Sequence, residues 1–356
     1  MFPSIKITKT TSPRSKPVPG QALPFGKHFT DHMFVMDYVE GQGWINPRIE
    51  PYGPISIEPT AMVFHYGQAV FEGLKAYRCN DGSVNLFRPE LNYERLNESD
   101  NRLVIPHIDP DFCVHATKTL VDLDKDWIPT GECESLYIRP FVFATDPYLG
   151  VRPSSTYKFM ILLSPSGAYY PQGINPIKIY VEETYVRAVR GGTGYTKCAG
   201  NYAASLIAQH KAHESGYVQV LWLDGIEQKY IEEVGSMNMF FVIDGVLVTP
   251  ALNGSILPGI TRRTCIELAK SLGMEVQERQ VSIDEIIAAG RDNRLTEAFG
   301  TGTAAVISPV GELKYKDDVI IINNNLIGPV AKMVYDTITG VQSGKLEDQY
   351  GWVTKV

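Results

Sequence analysis

Cysteine is scarce in this chain: five residues in 356 (Cys79, Cys113, Cys133, Cys198, Cys265), an odd number with no C-x-x-C among them. That argues against a disulfide framework and a structural zinc site, and it suits a reducing compartment, so a cytoplasmic protein without metal is expected. Basic charge is also short. Lys and Arg total 33 against 40 Asp and Glu, a net charge of −7, so no basic surface is available for nucleic acid or anionic lipid. No apolar run approaches a membrane span. The opening stretch MFPSIKITKTTSPRSKPVPG is basic and proline-rich but lacks the apolar centre of a secretory signal. It is expected to be an arm that lies on the surface or reaches a partner subunit. There is no internal repeat or low-complexity tract. What remains, 44% hydrophobic and 21% charged, is ordinary globular composition, with enough length for about two domains.

The patterning is mixed α and β. Alternation with turn signals over 29–50 predicts antiparallel strands, and Asn80-Asp81-Gly82 predicts a hairpin. Helices are expected at 89–101, at 110–126 with Asp109 or Asp111 as cap, and at 202–215, 260–272 and 325–339. In the fourth of these, Cys265, Leu268, Ala269 and Leu272 share one face, between Pro258 and Gly273. SLYIRPFVFAT and TYKFMILLSPSGAYY read as strands, as do several segments after 176. Pro, Gly and Ser punctuate 164–176. The expected division is a small α/β sandwich over 1–163, a connection over 164–176, and a larger domain over 177–356.

The chemistry concentrates in GGTGYTKCAGNYAASL. Lys197 stands between a glycine run (Gly191, Gly192, Gly194) and a polar shoulder (Gly200, Asn201, Tyr202) that opens into a helix. A lysine over bare backbone is a candidate Schiff-base nucleophile; the competing reading is a solvated surface lysine. A P-loop is excluded, because Thr196 replaces the glycine before the lysine and Cys198 replaces the magnesium-binding hydroxyl. LPGITRRT puts Gly259, Ile260 and Thr261 at a helix start, where free N–H groups favour an anion. FGTGTAAVISPV mimics a dinucleotide fingerprint, but a β-rich run follows it. A glycine turn carrying the Thr301 and Thr303 hydroxyls is the better reading. In YIEEVGSMNMFF, alternation predicts that one of Glu232 and Glu233 points inward and the other outward; the inward one needs a cationic partner such as a protonated pyridine nitrogen, and the competing reading is a solvated strand end.

Taken in order, VFEGLKAYR, LFRPELNYERL, SLYIRP, TKCAGNYAASL, EEVGSMNMFF, LPGITR and FGTGTAA resemble the branched-chain amino acid aminotransferases. These are fold-type IV enzymes that use pyridoxal 5′-phosphate, and the similarity runs from PFGKHFTDHM to DQYGWVTKV. The resemblance implies that Lys197 forms the covalent bond to the cofactor and that Glu233 pairs with the ring nitrogen. Tyr202 would bond the ring's phenolic oxygen. Arg95, the backbone of Ile260 and Thr261, and Thr303 would hold the phosphate.

The same resemblance implies an aromatic pocket of Phe25, Tyr66, Phe71, Tyr137 and Tyr169 for a branched side chain. Arg139 would receive the distal carboxylate of glutamate, and the amides at Thr303 and Ala304 the α-carboxylate. The loop 147–153 would reach the neighbouring site through Leu149 and Val151, which implies a homodimer. A redox C-x-x-C found in some animal members is absent, since Ala305 and Ser308 occupy its places. The expected activity is amino transfer between L-leucine, L-isoleucine or L-valine and 2-oxoglutarate. D-amino acid aminotransferases and aminodeoxychorismate lyases, which share the lysine and glutamate, are alternatives, as is a silent pyridoxal-phosphate-binding scaffold.

Overall fold

The computed structural model describes residues 2–18, 20–167 and 174–356. By contacts the chain divides into two units, one of 1–169, 196–199 and 340–356, the other of 170–195 and 200–339.

The first unit holds β1 (Lys6–Ile7), β2 (His32–Val39), β3 (Gly43–Pro51), α1 (Met62–Tyr66), β4 (Ala69–Phe71), β5 (Leu74–Arg78), β6 (Val84–Phe87), α2 (Pro89–Leu103), α3 (Pro110–Leu123), β7 (Ser135–Ala144) and β8 (Thr156–Ser166). Its sheet runs β1-β3-β2-β8-β7-β5-β6 and is completed by the C-terminal strand Val353–Lys355 against β6. The hairpin expected at Asn80-Asp81-Gly82 joins β5 to β6, with Gly82 at φ 82°. Asp109 caps α3 by accepting the Asp111 N–H, and Pro110 takes the first helical position, where its missing donor does no harm. Phe34 and Met36 of β2 join a core with Tyr93, Leu96, Phe112, Ala116, Leu136 and Ile138, while Met33 and Val35 pack in a second cluster with Phe143 and Met160. Strand alternation divides β7 between two faces. Leu136 and Ile138 face the α2/α3 core, so Tyr137, Arg139 and the cross-strand partner of Tyr137, Lys75, stand on the other face. The connection expected at 164–176 begins inside β8, which continues to Ser166, and 168–173 lie outside the described residues.

The second unit holds β9 (Ile177–Val181), α4 (Ala199–Glu214, from Gly200 onward), β10 (Gln219–Leu223), β11 (Ile231–Val234), β12 (Met237–Ile243), β13 (Val246–Pro250), α5 (Ile260–Ser271), β14 (Val276–Arg279), α6 (Ile283–Arg291), β15 (Leu295–Gly302), β16 (Val306–Tyr315), β17 (Asp318–Ile321) and most of α7 (Pro329–Gln342). The order β11-β10-β9-β16-β15-β12 returns to β11 through a β11–β12 pairing, which closes a six-stranded barrel. Closure removes the free edges that an open sheet would expose. β13, β14 and β17 extend it. The β12–β13 hairpin turns on Asp244 and Gly245, both at positive φ (51° and 81°), the conformation that a two-residue turn of this hand requires.

Several expectations need correction. Helix α4 starts three residues earlier than predicted and α7 runs from 329 rather than 325. Leu272 is not on the buried face of α5; it is the C-cap and about half exposed at 53%. Helix α6 was not predicted, although Ser282 accepting from the Glu285 N–H is a capping signature legible as S-x-x-E. No described helix is long and apolar enough to cross a membrane. No group of three or more metal-ligating side chains occurs among the described residues.

Candidate active site

In the first unit, Lys197 is held by its backbone. Its carbonyl accepts the Phe71 N–H at 3.0 Å, its N–H donates to Ser99 Oγ at 3.0 Å, and Cys198 bridges Val70. The side chain is half-buried, with Nζ 4.6 Å from the centre of the Phe71 ring. The Arg139 guanidinium lies 4.6 Å from the same ring, so Phe71 faces two cations. Arg139 also donates to the Tyr137 hydroxyl at 3.1 Å, and its buried Nε has no hydrogen-bond partner. Phe25 meets Tyr137 edge-on at 4.7 Å. Phe25, Phe71, Tyr137, Arg139 and Lys197 are therefore one cluster.

The Tyr66 hydroxyl donates to the Leu149 carbonyl. Tyr66, Leu149 and Val151 are 41, 59 and 84% exposed, so this corner offers apolar surface to solvent. Tyr169 is outside the described residues.

Arg95 is buried on α2 and tied to a residue the sequence reading missed. Its Nε and Nη2 donate to the two oxygens of Glu72 at 2.8 and 2.9 Å, a bidentate pair. Asn92 Nδ2 (2.8 Å) and the Gly73 N–H (3.1 Å) complete the carboxylate's shell. Burial would raise the Glu72 carboxyl, but the Arg95 charge and hydrogen bonds, with the Lys197 charge, hold it below the ordinary carboxylate value. The signal was present: a lone carboxylate inside the apolar run AVFEGLKA. Lys75 was missed too. It is the one lysine buried among the described residues, and burial pushes it down to about 8.

In the second unit, both carboxylates of β11 are buried, Glu232 at 3% and Glu233 at 2% exposure, so the one that alternation turns outward does not reach solvent. The short strand sits in a barrel wall covered on both sides. Glu233 Oε2 pairs with Arg187 Nε at 2.9 Å, and its Oε1 accepts the Leu257 N–H at 2.6 Å. Arg187, also missed, is the cation the buried position required. Its remaining nitrogens donate to the carbonyls of Gly194 and Ser255. Gly194 is glycine for lack of space: a Cβ there would lie 2.1 Å from the Ser255 carbonyl oxygen. Asn201, in the first turn of α4, ties down the same run through Thr193. Tyr202 lies one residue on, half-buried.

Helix α5 begins at Ile260 with Gly259 as N-cap and no side-chain cap, as the anion reading expects. A Cβ at Gly259 would lie 1.9 Å from Asn238 Oδ1, and Asn238 in turn donates to the Leu257 carbonyl. The segment read as FGTGTAA forms the β15–β16 hairpin, with Thr303 and Ala304 in its turn. A Rossmann site is thereby excluded. Thr301 Oγ1 is buried there without a partner.

Residues 69–313 match the profile of the family described as amino-transferase class IV. The chain belongs to this family. Among class IV aminotransferases it is 60% identical, over 353 residues, to the branched-chain-amino-acid aminotransferase 2 of Bacillus subtilis (strain 168), covering 99% of this chain and 97% of the relative. The crystal structure of the Escherichia coli branched-chain amino acid aminotransferase matches with a TM-score of 0.76 at 30% identity, over 90% of this chain and 98% of that one. The T.th. branched-chain amino acid aminotransferase, crystallised with pyridoxamine 5′-phosphate, matches at 0.73 and 28%, over 90 and 97%.

Proposed function

We propose that this chain is a branched-chain amino acid transaminase with pyridoxal 5′-phosphate as cofactor. It exchanges an amino group reversibly between L-leucine, L-isoleucine or L-valine and 2-oxoglutarate, giving the branched 2-oxo acid and L-glutamate. The observation that carries this reading is Lys197 with its backbone bonded on both sides and its amine against the Phe71 ring, in a chain of this family.

The residues fit the cofactor. The uncapped start of α5 and the unpartnered Thr301 hydroxyl are donors suited to a phosphate, and buried Glu233 is an acceptor suited to a ring nitrogen. When bound, the cofactor supplies a carbonyl carbon that amines capture and a ring that takes up an electron pair. Lys197 would hold that carbon between turnovers, and its Nζ, once free, would take the proton from the substrate Cα as a base. Glu233 keeps a proton on the ring nitrogen, since a nearby carboxylate favours the charged form. Arg95, Ile260, Thr261 and Thr303 hold the phosphate, and Tyr202 the phenolic oxygen.

Phe25, Tyr66, Phe71, Tyr137 and Tyr169 exclude water around an aliphatic side chain. Arg139 takes the distal carboxylate of glutamate at its unpartnered Nε, and the turn at Thr303 and Ala304 takes the α-carboxylate. In this reading the part 177–356 carries most cofactor contacts and 1–163 all the aromatic ones but Tyr169, which falls in the connection 164–176. Exposed Leu149 and Val151 on loop 147–153 suit a homodimer in which this loop reaches the neighbouring site. Five free cysteines suit the cytoplasm.

Borohydride reduction of the holoenzyme followed by peptide mass spectrometry tests the assignment. The pyridoxyl adduct is expected on Lys197; an adduct on Lys75, the buried lysine whose value burial lowers to about 8, overturns it. Lys197→Ala is expected to abolish turnover of L-leucine with 2-oxoglutarate, and D-alanine is expected not to react with the parent protein.

A further inference from the structure

Two adjacent carboxylates are buried in β11, and one arginine serves them. Arg187 Nε lies on Glu233, while Glu232 is met by different groups. Ser255 Oγ donates to its Oε1, Asn253 Nδ2 donates to the same oxygen at 3.2 Å, and Oε2 is buried with no hydrogen-bond partner. An ionised carboxylate left with a bare buried oxygen is a costly arrangement, whereas a protonated one is neutral.

The segment 253–257 touches everything in this network. Ser255 reaches Glu232 through its hydroxyl and Arg187 through its carbonyl (3.1 Å), and two residues later the Leu257 N–H reaches Glu233. The same strap runs straight into Gly259 and the start of α5.

We propose that Glu232 is a positioning residue: it stays protonated while Glu233 carries the charge, and through Ser255 it fixes Arg187 against Glu233. This rests on Glu233 being the carboxylate that serves the cofactor nitrogen. The strand then carries a single negative charge, at Glu233, instead of two adjacent ones. The charged groups that act on Glu232 are Arg187, from the connection after β9, and Asp224, from the loop after β10; Glu233 is its neighbour in the strand. Burial, the largest influence, raises the Glu232 carboxyl above its ordinary 4.5.

The first measurement uses the protein without cofactor. A carboxyl whose folded value is raised binds a proton that the unfolded chain has already lost. Its contribution to stability is therefore full below pH 4.5 and declines as pH rises toward the folded value. Glu232→Gln keeps the size and the acceptor for Ser255 but cannot ionise. Its melting temperature is expected to gain on the parent protein's as pH rises from 5 to 8. Parallel curves would mean that Glu232 is ionised in the fold, and the proposal is overturned.

The second measurement uses the holoenzyme. Glu232→Leu, which leaves the Ser255 hydroxyl only Asn253 Oδ1 to bond and cuts its link to β11, is expected to lower kcat about tenfold below Glu232→Gln with little change in KM. Ser255→Ala removes the same link from the other side and is expected to show a similar fall, which covers the case that Glu232→Leu does not fold. Equal kcat in Glu232→Gln, Glu232→Leu and Ser255→Ala overturns the positioning role. If the parent holoenzyme fails to transaminate while the melting difference persists, the proposed function falls and the protonation of Glu232 stands.

Discussion

Each unit of this protein buries a glutamate against an arginine, and the two pairs are built differently. Glu72 and Arg95 form a closed set: two parallel hydrogen bonds, with Asn92 and the Gly73 N–H satisfying what remains of the carboxylate. Glu233 and Arg187 share a single contact, the arginine's other nitrogens going to the backbone carbonyls of Gly194 and Ser255, and a second carboxylate stands next in the strand. The first arrangement neutralises both partners where they are and holds Arg95 at a fixed angle. The second leaves one carboxylate charged and poised beside another that lacks a cation. A pair closed by two parallel bonds is a support, and one held by a single arginine contact beside a second carboxylate is a place where charge is available for chemistry.

The comparison can be broken from either side. The largest expected effect is on the first pair. Glu72→Ala leaves the Arg95 guanidinium buried without its counter-ion and is expected to cost about 3–5 kcal/mol in urea unfolding. If stability falls by well under half of that, Glu72 does not hold Arg95 as argued. On the second pair the effect is expected in rate rather than stability. Glu233→Gln retains the Leu257 contact through its amide oxygen and is expected to lower kcat by about 10²–10³ while keeping the cofactor. An unaffected rate would transfer the role to Glu232 or to another group.

Asp100 sharpens the contrast from outside both pairs, being a buried carboxyl on α2 with neither oxygen bonded. Burial raises it well above the ordinary 3.8, with Cys113 and Tyr157 as its titratable neighbours. The fold thus keeps this proton to a higher pH than the unfolded chain does. Stability is therefore expected to decline above pH 3.8, by at most about 1.4 kcal/mol per pH unit from this group. Asp100→Asn should flatten that part of the profile, and an unchanged slope would place the proton elsewhere.

How much the sequence disclosed depends on how local each feature is. The α3 cap at Asp109, the Asn80-Asp81-Gly82 hairpin and the α5 start at Gly259 are set by neighbouring residues, and all were legible. The hairpin at FGTGTAA was separable from a dinucleotide fold because the residues after it are β-rich. Glu72, Arg187 and Ser99 were not legible as partners, because each meets its counterpart across 23, 46 and 98 positions of chain respectively. The solvated-end reading of Glu232 and Glu233 failed for a different reason. Alternation predicts direction, but it predicts solvent only where one face of a strand is open, and β11 is part of a closed wall.

The glycine run before Lys197 invites the reading that bare backbone exists to admit a ligand. Gly191 and Gly194 answer to separate demands instead. Gly191 has a φ of 81° and open space around it, whereas Gly194 has a carbonyl oxygen where a methyl group would go. Asparagine, which tolerates left-handed backbone, is an acceptable exchange at the first position, and nothing larger than a hydrogen atom is at the second. A randomised library over these two positions would therefore separate a rule about backbone handedness from a rule about room.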